Sequence, residues 1–336
     1  TTGISLANPE VFSFDLLKRH LYSVAIGGLL AWVVMRQDID RVEHYAPHFL
    51  IFSWVLCLFV FIPGFGHVAR GAARWIELGP FRFQPSEVLK LAVIFYISTY
   101  LHRRSEQIKG FVHGVIVPVV VLATSAVILY LQRDFGTTAV LAAVVSAQLF
   151  LYLRVRHLSL ISLVAGGILF SIAVSQQYRA DRIISWFDPC AHHDSGGYQL
   201  CESLIAIGSG GIVGKGIGGG EQKVSYLPMA HNDFIYAVIA EEGGLIFSSA
   251  VLVLYLWFAW LGMKLTRTLY YDKGYSSLAL GLTMAIAVPA FLNMMVATGI
   301  VPTKGLVLPL VSYGGSAMVV NLLAVGILGS LVNKLD

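Results

Sequence analysis

Charge is what this chain has least of. Asp, Glu, Lys and Arg make up 12% of its 336 residues, about half the roughly 25% of a soluble globular protein. Apolar residues fill 57% of the chain and mean hydropathy is +0.74. A single water-exposed domain has no core large enough for that surface, so the chain reads as an integral membrane protein. The net charge of +4 is small, the basic residues form no continuous face, and no RNA- or DNA-binding motif is present, which excludes nucleic-acid partners. A phosphate-binding loop of the G-x-x-x-x-G-K-[ST] form is also missing, because Gly rather than Ser or Thr follows Lys215, so nucleotide hydrolysis has no support. No signal peptide is visible, and the first apolar span serves as its own insertion signal.

What the chain does have is apolar runs of membrane-crossing length. Nine are read near 20–35, 47–63, 86–102, 113–132, 137–153, 157–175, 235–263, 276–300 and 306–332. The expected fold is therefore all-α, one polytopic transmembrane domain over 1–336. Short loops carry Arg36 and Arg41, then Arg103, Arg104 and Lys109, then Arg154 and Arg156, then Lys264, Arg267 and Lys273, with Lys334 at the end. The excess of basic residues in these loops marks their side as cytoplasmic. The opposite side then receives 1–19, 64–85, 133–136, 301–305 and a large loop at about 176–232.

That large loop holds Gly196, Gly197, Gly208-Ser-Gly-Gly211 and Gly214-Lys-Gly-Ile-Gly-Gly-Gly220. Such glycines either form anion-binding nests or are ordinary turns. Cys190 and Cys201 both fall in the loop, on the side where disulfides are permitted, and a bridge between them is open to test. Cys57 lies inside a span and reads as packing. The run His192-His193-Asp194 reads as a solvated loop tip rather than a metal site, because adjacent residues seldom ligate one ion.

Charged groups at membrane depth are the candidates for function, since each costs roughly 2.5–3.5 kcal/mol on insertion scales. Asp233, Glu241 and Glu242 enter the start of a long span within ten residues. Either they line a wet cavity, or the helix begins later, near Leu245, and they are solvated. Glu87 and Lys90 share one helical face and either neutralise each other or line a polar cavity. Asp134 either binds a cation or caps the following helix, a job Thr137 can share. Lys304 either binds a phosphate as a point charge or snorkels to the interface. Together, acids and bases on outward-facing helix ends suggest a site for a phosphate-bearing lipid, with a divalent cation such as Mg2+ or Mn2+ suited to the Asp and Glu oxygens.

Four stretches carry a family resemblance. They are Arg70-Gly-Ala-Ala-Arg-Trp-Ile-Glu-Leu-Gly-Pro-Phe-Arg-Phe-Gln-Pro-Ser-Glu-Val-Leu-Lys90; Gly197-Tyr-Gln199 with Ile205-Ala-Ile-Gly-Ser-Gly-Gly211; Tyr226-Leu-Pro-Met-Ala-His-Asn-Asp-Phe-Ile-Tyr-Ala-Val-Ile-Ala-Glu-Glu242; and Pro302-Thr-Lys-Gly-Leu-Val-Leu-Pro-Leu-Val-Ser-Tyr-Gly-Gly-Ser316. In this order they resemble the SEDS proteins (shape, elongation, division and sporulation) over nearly the whole chain. The Pro-Thr-Lys-Gly segment leans toward the division branch, FtsW, while Arg-Phe-Gln-Pro-Ser-Glu also suits the elongation branch, RodA. Met229, Asn232 and Arg133 depart from the residues common at their positions, and the cysteine pair is outside the family pattern.

The resemblance implies a bundle of ten transmembrane helices, matched by nine here with the first largely absent. It implies a peptidoglycan glycosyltransferase in the bacterial inner membrane that polymerises lipid II with release of undecaprenyl pyrophosphate, its active site on the extracytoplasmic face. Asp233 matches the family's essential aspartate and is expected as the catalytic base. Arg74, Lys90 and Lys304, with Glu87 holding Lys90, are expected to bind the pyrophosphate, and Asp134 a divalent ion. The expected partners are a class B penicillin-binding protein and other divisome or elongasome membrane proteins. A flippase of the same lipid is the alternative; charges gathered at the outer face rather than the midplane favour the enzyme.

Overall fold

A membrane core offers the backbone no partner but itself, so the apolar runs are satisfied as helices. The computed structural model describes residues 9–69, 72–78, 81–152, 185–191, 197–220 and 233–335. Its helices are α1 (Pro9–Met35), α2 (Ile39–Glu43), α3 (Ala46–Phe59), α4 (Pro85–Arg103), α5 (Val117–Leu131), α6 (Phe135–Phe150), α7 (Tyr198–Gly210), α8 (Ile235–Thr268), α9 (Lys273–Ala297) and α10 (Gly315–Asn333). A π-turn, Val112–Ile116, leads into α5. The chain is an all-α membrane bundle, and eight of the nine expected spans fall on these helices. The span expected at 157–175 lies outside the described residues.

Four features differ from the expectation. The first helix starts at Pro9, well before residue 20. The segment at 64–85 holds a small antiparallel sheet, β1 (Gly66–Ala69), β2 (Ala72–Leu78) and β3 (Phe81–Phe83), in the order β1-β2-β3. The large outer loop contains α7, whose buried face presents Leu200, Cys201, Ser203 and Ala206. The last span starts at Gly315 rather than 306, because two prolines and the positive φ of Leu310 (65°) keep 301–314 out of a helix.

The core has two lobes that share α4. One gathers α4, α8, α9 and α10 around Ile94, Leu282, Ile286 and Leu331; the other gathers α3 to α6 around Leu89, Ile97, Leu129 and Leu141. Polar side chains bolt the helices together where hydrocarbon offers no hydrogen bonds. Gln148 of α6 donates to Ser98 Oγ of α4 at 2.9 Å and to the Ser277 carbonyl of α9 at 3.2 Å. Small residues let helices touch: a methyl group on Gly326 of α10 would lie 2.5 Å from the Ala31 carbonyl oxygen of α1. Helix α9 is the central strut, with Leu282, Ile286 and Ala290 at 0% exposure.

Arg36, Arg103, Arg104, Lys264 and Lys334 collect where α1, α4, α8 and α10 end, the side the loop charges mark as cytoplasmic. Arg36 lies over the Trp32 ring at 4.0 Å and Lys264 over Trp260 at 5.7 Å. Aromatic rings paired with long cations are the usual furniture of a membrane interface.

Candidate active site

Helices α4, α6, α8 and α10 all begin at the other end, where the starts of α4, α6 and α10 are hydrogen-bonded together. Helix α4 starts with Pro85 at its first position, where a missing N–H costs nothing. One turn on, Lys90 Nζ sits 2.9 Å from Glu87 Oε2, with side-chain exposures of 11% and 8%. A pair this buried is held by more than Coulomb attraction in water. Glu87 and Lys90 line a cavity of about 30 Å3 together with Thr137, Pro289, Leu306 and Asn321. The two charges therefore pair with each other, as one of the alternatives read from the sequence has it, and they also line a small cavity.

Asp134 is the N-cap of α6. Its carboxylate accepts hydrogen bonds from the Thr137 backbone N–H at 3.2 Å, the Thr137 hydroxyl at 2.8 Å, the Ser86 hydroxyl at 3.0 Å and the Gln84 side-chain amide at 3.2 Å. The Gln84 backbone N–H in turn reaches Ser316 Oγ at 3.1 Å, tying the start of α10 to the starts of α4 and α6. Four donors on one carboxylate describe a cap and a joint between helices, and they leave poor coordination geometry for a divalent ion. Among the described residues no three His, Cys, Asp or Glu side chains gather in a ligating group. The donor set therefore does not fit a resident Mg2+ or Mn2+.

Arg74, on β2, donates from Nε to the Gln132 carbonyl at 3.4 Å and from Nη2 to the Arg133 carbonyl. Arg133 holds a φ of 57°, a left-handed conformation uncommon for a non-glycine residue. Gln132 donates onward to the Cys57 carbonyl at 2.7 Å. The guanidinium thus clamps the sheet onto the turn that carries Asp134, and its place is at the rim of the site.

Asp233 lies two residues before α8, next to its N-cap Phe234, and its carboxylate lies against Gly305: a methyl group there would meet Asp233 Oδ2 at 3.0 Å. The neighbouring residue is Lys304. Gly136 of α6 faces the same segment, its added methyl 3.7 Å from both Asp134 Oδ1 and the Gly305 carbonyl oxygen. Asp233, Lys304, the Glu87–Lys90 pair and Asp134 are thereby brought to one locus, and Arg74 to its edge. Two contributors escaped sequence reasoning. Gly305 leaves room for the carboxylate, and Asn293 of α9 donates to the carbonyls of both Asp233 (2.7 Å) and Leu306 (2.5 Å). An Asn inside an apolar span is the only signal the sequence offers for the second.

Glu241 and Glu242 lie within the first turns of α8, so the helix does not wait for Leu245 to begin. Glu241 is fully buried, and its carboxylate meets Lys215 Nζ at 2.9 Å. Gly244, at φ 67°, breaks the helix here. The glycine-rich segment fills the break: Lys215 and Gly216 donate to the carbonyls of Glu241 and Glu242, both at 3.0 Å, while Leu245 donates to that of Gly211 at 2.9 Å. Gly214, at φ 87°, touches the Glu242 carbonyl so closely that a methyl group would sit 2.1 Å away. Gly210 and Gly214 serve close backbone approach to α8. Behind them, Cys190 and Cys201 are bonded, and Trp186 donates to the Gly299 carbonyl at 2.7 Å. The bridge that the sequence left open is present, and Cys57 is buried and free, as its reading as a packing residue implies. His192, His193 and Asp194 lie outside the described residues.

The locus holds charges of both signs. The N-termini of α4, α6 and α10 are tied together at it, each a favourable place for an anion, and the ammonium groups of Lys90 and Lys304 stand against the carboxylates of Glu87, Asp134 and Asp233. Asp233 supplies a carboxylate able to accept a proton.

Three comparisons with known proteins bear on this arrangement. A family model described as cell cycle protein, covering FtsW, RodA and SpoVE, matches residues 5–335. The probable peptidoglycan glycosyltransferase FtsW of Halothiobacillus neapolitanus is 41% identical over 330 residues, 97% of this chain and 79% of the relative. That of Legionella pneumophila is 42% identical over 318 residues, 94% of this chain and 81% of the relative. A chain of a peptidoglycan synthase complex, solved to explain the coordination of polymerization and crosslinking, superposes with a TM-score of 0.79 at 26% identity, covering 95% of this chain and 90% of its own. The rod shape determining protein RodA of Thermus thermophilus superposes with a TM-score of 0.70 at 26% identity, covering 95% and 88%.

Proposed function

The chain belongs to the FtsW, RodA and SpoVE family of cell cycle proteins, and we propose from that premise and the geometry of the site that it is a peptidoglycan glycosyltransferase with Asp233 as its general base. The single observation that carries the assignment of Asp233 is its carboxylate lying against Gly305, next to Lys304.

The reaction needs two things of the protein. An acceptor sugar hydroxyl must lose its proton as its oxygen bonds to the anomeric carbon of the donor. Asp233 takes that proton. The bond from the anomeric carbon to the lipid-linked pyrophosphate breaks in the same step, and the pyrophosphate leaves with the electron pair. Its growing negative charge is met by Lys304, by Lys90 held by Glu87, and by the helix N-termini. Arg74 acts at the rim by fixing the sheet and the Asp134 turn. No step is assigned to a metal, because among the described residues Asp134, with its four hydrogen-bond donors, does not fit one.

The substrate is lipid II and the product a β-1,4-linked glycan on undecaprenyl pyrophosphate. The site faces the extracytoplasmic side of the inner membrane, a reading supported by the basic residues collected at the opposite end. The similarity to a chain of a synthase complex that polymerises and crosslinks supports a transpeptidase partner of the class B penicillin-binding type. Charges held at helix mouths rather than at the membrane midplane favour bond chemistry over transport of the same lipid.

Polymerisation of purified lipid II by wild-type and Asp233→Asn protein, each with the partner and each with and without Mg2+ or Mn2+, tests this. Glycan strands from wild type alone are expected. Equal product from both proteins removes Asp233 as the base. No product from either, in protein that still binds partner and lipid, turns the reading to transport.

A further inference from the structure

Asn293 sits in α9 at 1% exposure, one helical turn after Pro289. Its amide nitrogen lies 2.7 Å from the Asp233 carbonyl oxygen and 2.5 Å from that of Leu306. Only an NH2 group donates to two carbonyls at once, so the chemistry fixes which end of this amide is nitrogen. Neither carbonyl belongs to a helix ladder: Asp233 precedes α8, and Leu306 lies in the irregular stretch before α10. Both segments bear proposed catalytic groups, Asp233 itself and Lys304 two residues from Leu306.

We propose that Asn293 is a positioning residue for glycan polymerisation, whose two N–H donors bolt the Asp233 backbone to the Lys304–Leu306 segment and so set the distance between general base and leaving-group cation. The proposal rests on the glycosyltransferase reading above. Asn293 does not touch substrate; it acts through the two segments it joins. Its location supports that role over a purely structural one. Bolts elsewhere in the bundle, such as Gln148 with Ser98 and Ser277, join helix to helix, whereas Asn293 joins two non-helical segments that bear the proposed catalytic groups. Pro289, on the same face of α9, lines the cavity beside Glu87 and Lys90, so a single helix face serves both halves of the charge arrangement.

The test is lipid II polymerisation by partner-bound protein carrying Asn293→Ser, Asn293→Ala or Asn293→Asp, with kcat and KM separated and thermal stability measured alongside. Ser keeps one donor, Ala keeps none, and Asp keeps the shape while facing the two carbonyls with acceptors. Expected is a graded fall in kcat, least for Ser and greatest for Asp, reaching about ten- to a hundredfold as misplacement approaches 1 Å. KM is expected to stay within roughly threefold, because substrate contacts are untouched. Gln148→Leu is the control, expected to lower stability and leave kcat of the folded enzyme near wild type. If the Ala and Asp proteins fail to fold, a double-mutant cycle of Asn293→Ser with Gly305→Ala decides: both changes act by displacing Asp233, so their effects on kcat should be non-additive. Wild-type kcat in the folded Asn293 variants, or strict additivity in the cycle, overturns the proposal. Activity of the wild type keeps that outcome separate from failure of the glycosyltransferase reading, in which wild type itself makes no glycan.

Discussion

Compare the two ends of the helix bundle. Where α4, α6, α8 and α10 begin, ionisable groups are deeply enclosed: Glu87, Lys90, Asp134 and Glu241 are between 0% and 9% exposed. Where the same helices finish, they are wet. Lys334 Nζ lies 2.6 Å from Asp40 Oδ1, with side chains 30% and 53% exposed. His102 Nδ1 lies 3.0 Å from Asp272 Oδ1, the histidine 40% exposed. Tyr275 donates to Asp40, and Asp272 caps α9 through the backbone N–H groups of Gly274 and Tyr275. Charges at the wet end are cheap and screened, and serve to tie α2, α4, α9 and α10 together. Charges at the dry end carry a desolvation penalty of several kcal/mol per ion, which a structure tolerates where a ligand needs them. The contrast says that substitutions at the first end should cost chemistry or folding heavily, and at the second end little of either.

The largest break is expected at Asp233. Asp233→Asn keeps size and shape and removes the base, so kcat should fall roughly 10²–10⁴-fold while partner binding and thermal stability stay at wild-type values. A comparable fall in stability would mean that this carboxylate is structural, like Asp134.

Next come Glu87 and Lys90. Removing one partner strands the other in a buried position, and Glu87→Gln or Lys90→Met alone should cost about 3–5 kcal/mol of stability. Changing both together should restore much of that stability, since a well-packed neutral pair avoids the desolvation cost, while polymerisation stays low for want of the Lys90 charge. Thermal unfolding in detergent with a parallel glycan assay separates the two. Recovery of both stability and activity in the double variant would make the pair a structural one.

Gly305→Ala is a subtler perturbation of the same end. The added methyl meets Asp233 Oδ2 at 3.0 Å, so the carboxylate must shift by a few tenths of an ångström. A kcat loss of about tenfold with little change in stability is expected. Wild-type kcat would show that Asp233 has room to spare and that the contact with Gly305 does not set its position.

How much of this was legible beforehand follows from the range of the interactions. Apolar runs of membrane length give the helices directly, because the bilayer leaves each run one way to satisfy its backbone. The segment 306–314 escaped because it is as apolar as a helix; only Pro309 and the left-handed Leu310 mark it as irregular. Asp233, Glu87, Lys90 and Lys304 stood out since charge in an apolar run is conspicuous. What the sequence could not give is their use. Asp134 as a joint for three helices, Arg74 on two carbonyls and Asn293 across two segments all depend on partners 48 to 232 residues apart or on backbone atoms with no sequence identity. The loop glycines were ambiguous for the same reason: close approach to α8 and anion binding demand the same residue.

The smallest effects belong to the wet end. There the hydrogen bonds from Lys334 and Tyr275 hold the Asp40 carboxyl below its usual value. A depressed acid contributes stability above its unfolded value of 3.8 and loses it only as pH falls through the lower folded one, so Asp40→Asn should change nothing in the slope of stability between pH 6 and 8. Its cost should be under about 1 kcal/mol, as for exposed pairs generally, with kcat unchanged. Glu43, nearby on α2, goes the other way: burial raises its carboxyl, opposed by His102 and Arg103. An acid raised on folding favours the folded state below its unfolded value of 4.5, and that contribution fades as pH climbs through the raised one. Glu43→Gln should therefore flatten the slight loss of stability that accompanies rising pH between the unfolded and the raised folded value, while leaving polymerisation untouched. Thermal midpoints across pH for wild type, Asp40→Asn and Glu43→Gln read out both signs. A polymerisation defect in either variant would mean that the wet end is coupled to the site through α4 or α9, and the division of labour between the two ends would fail.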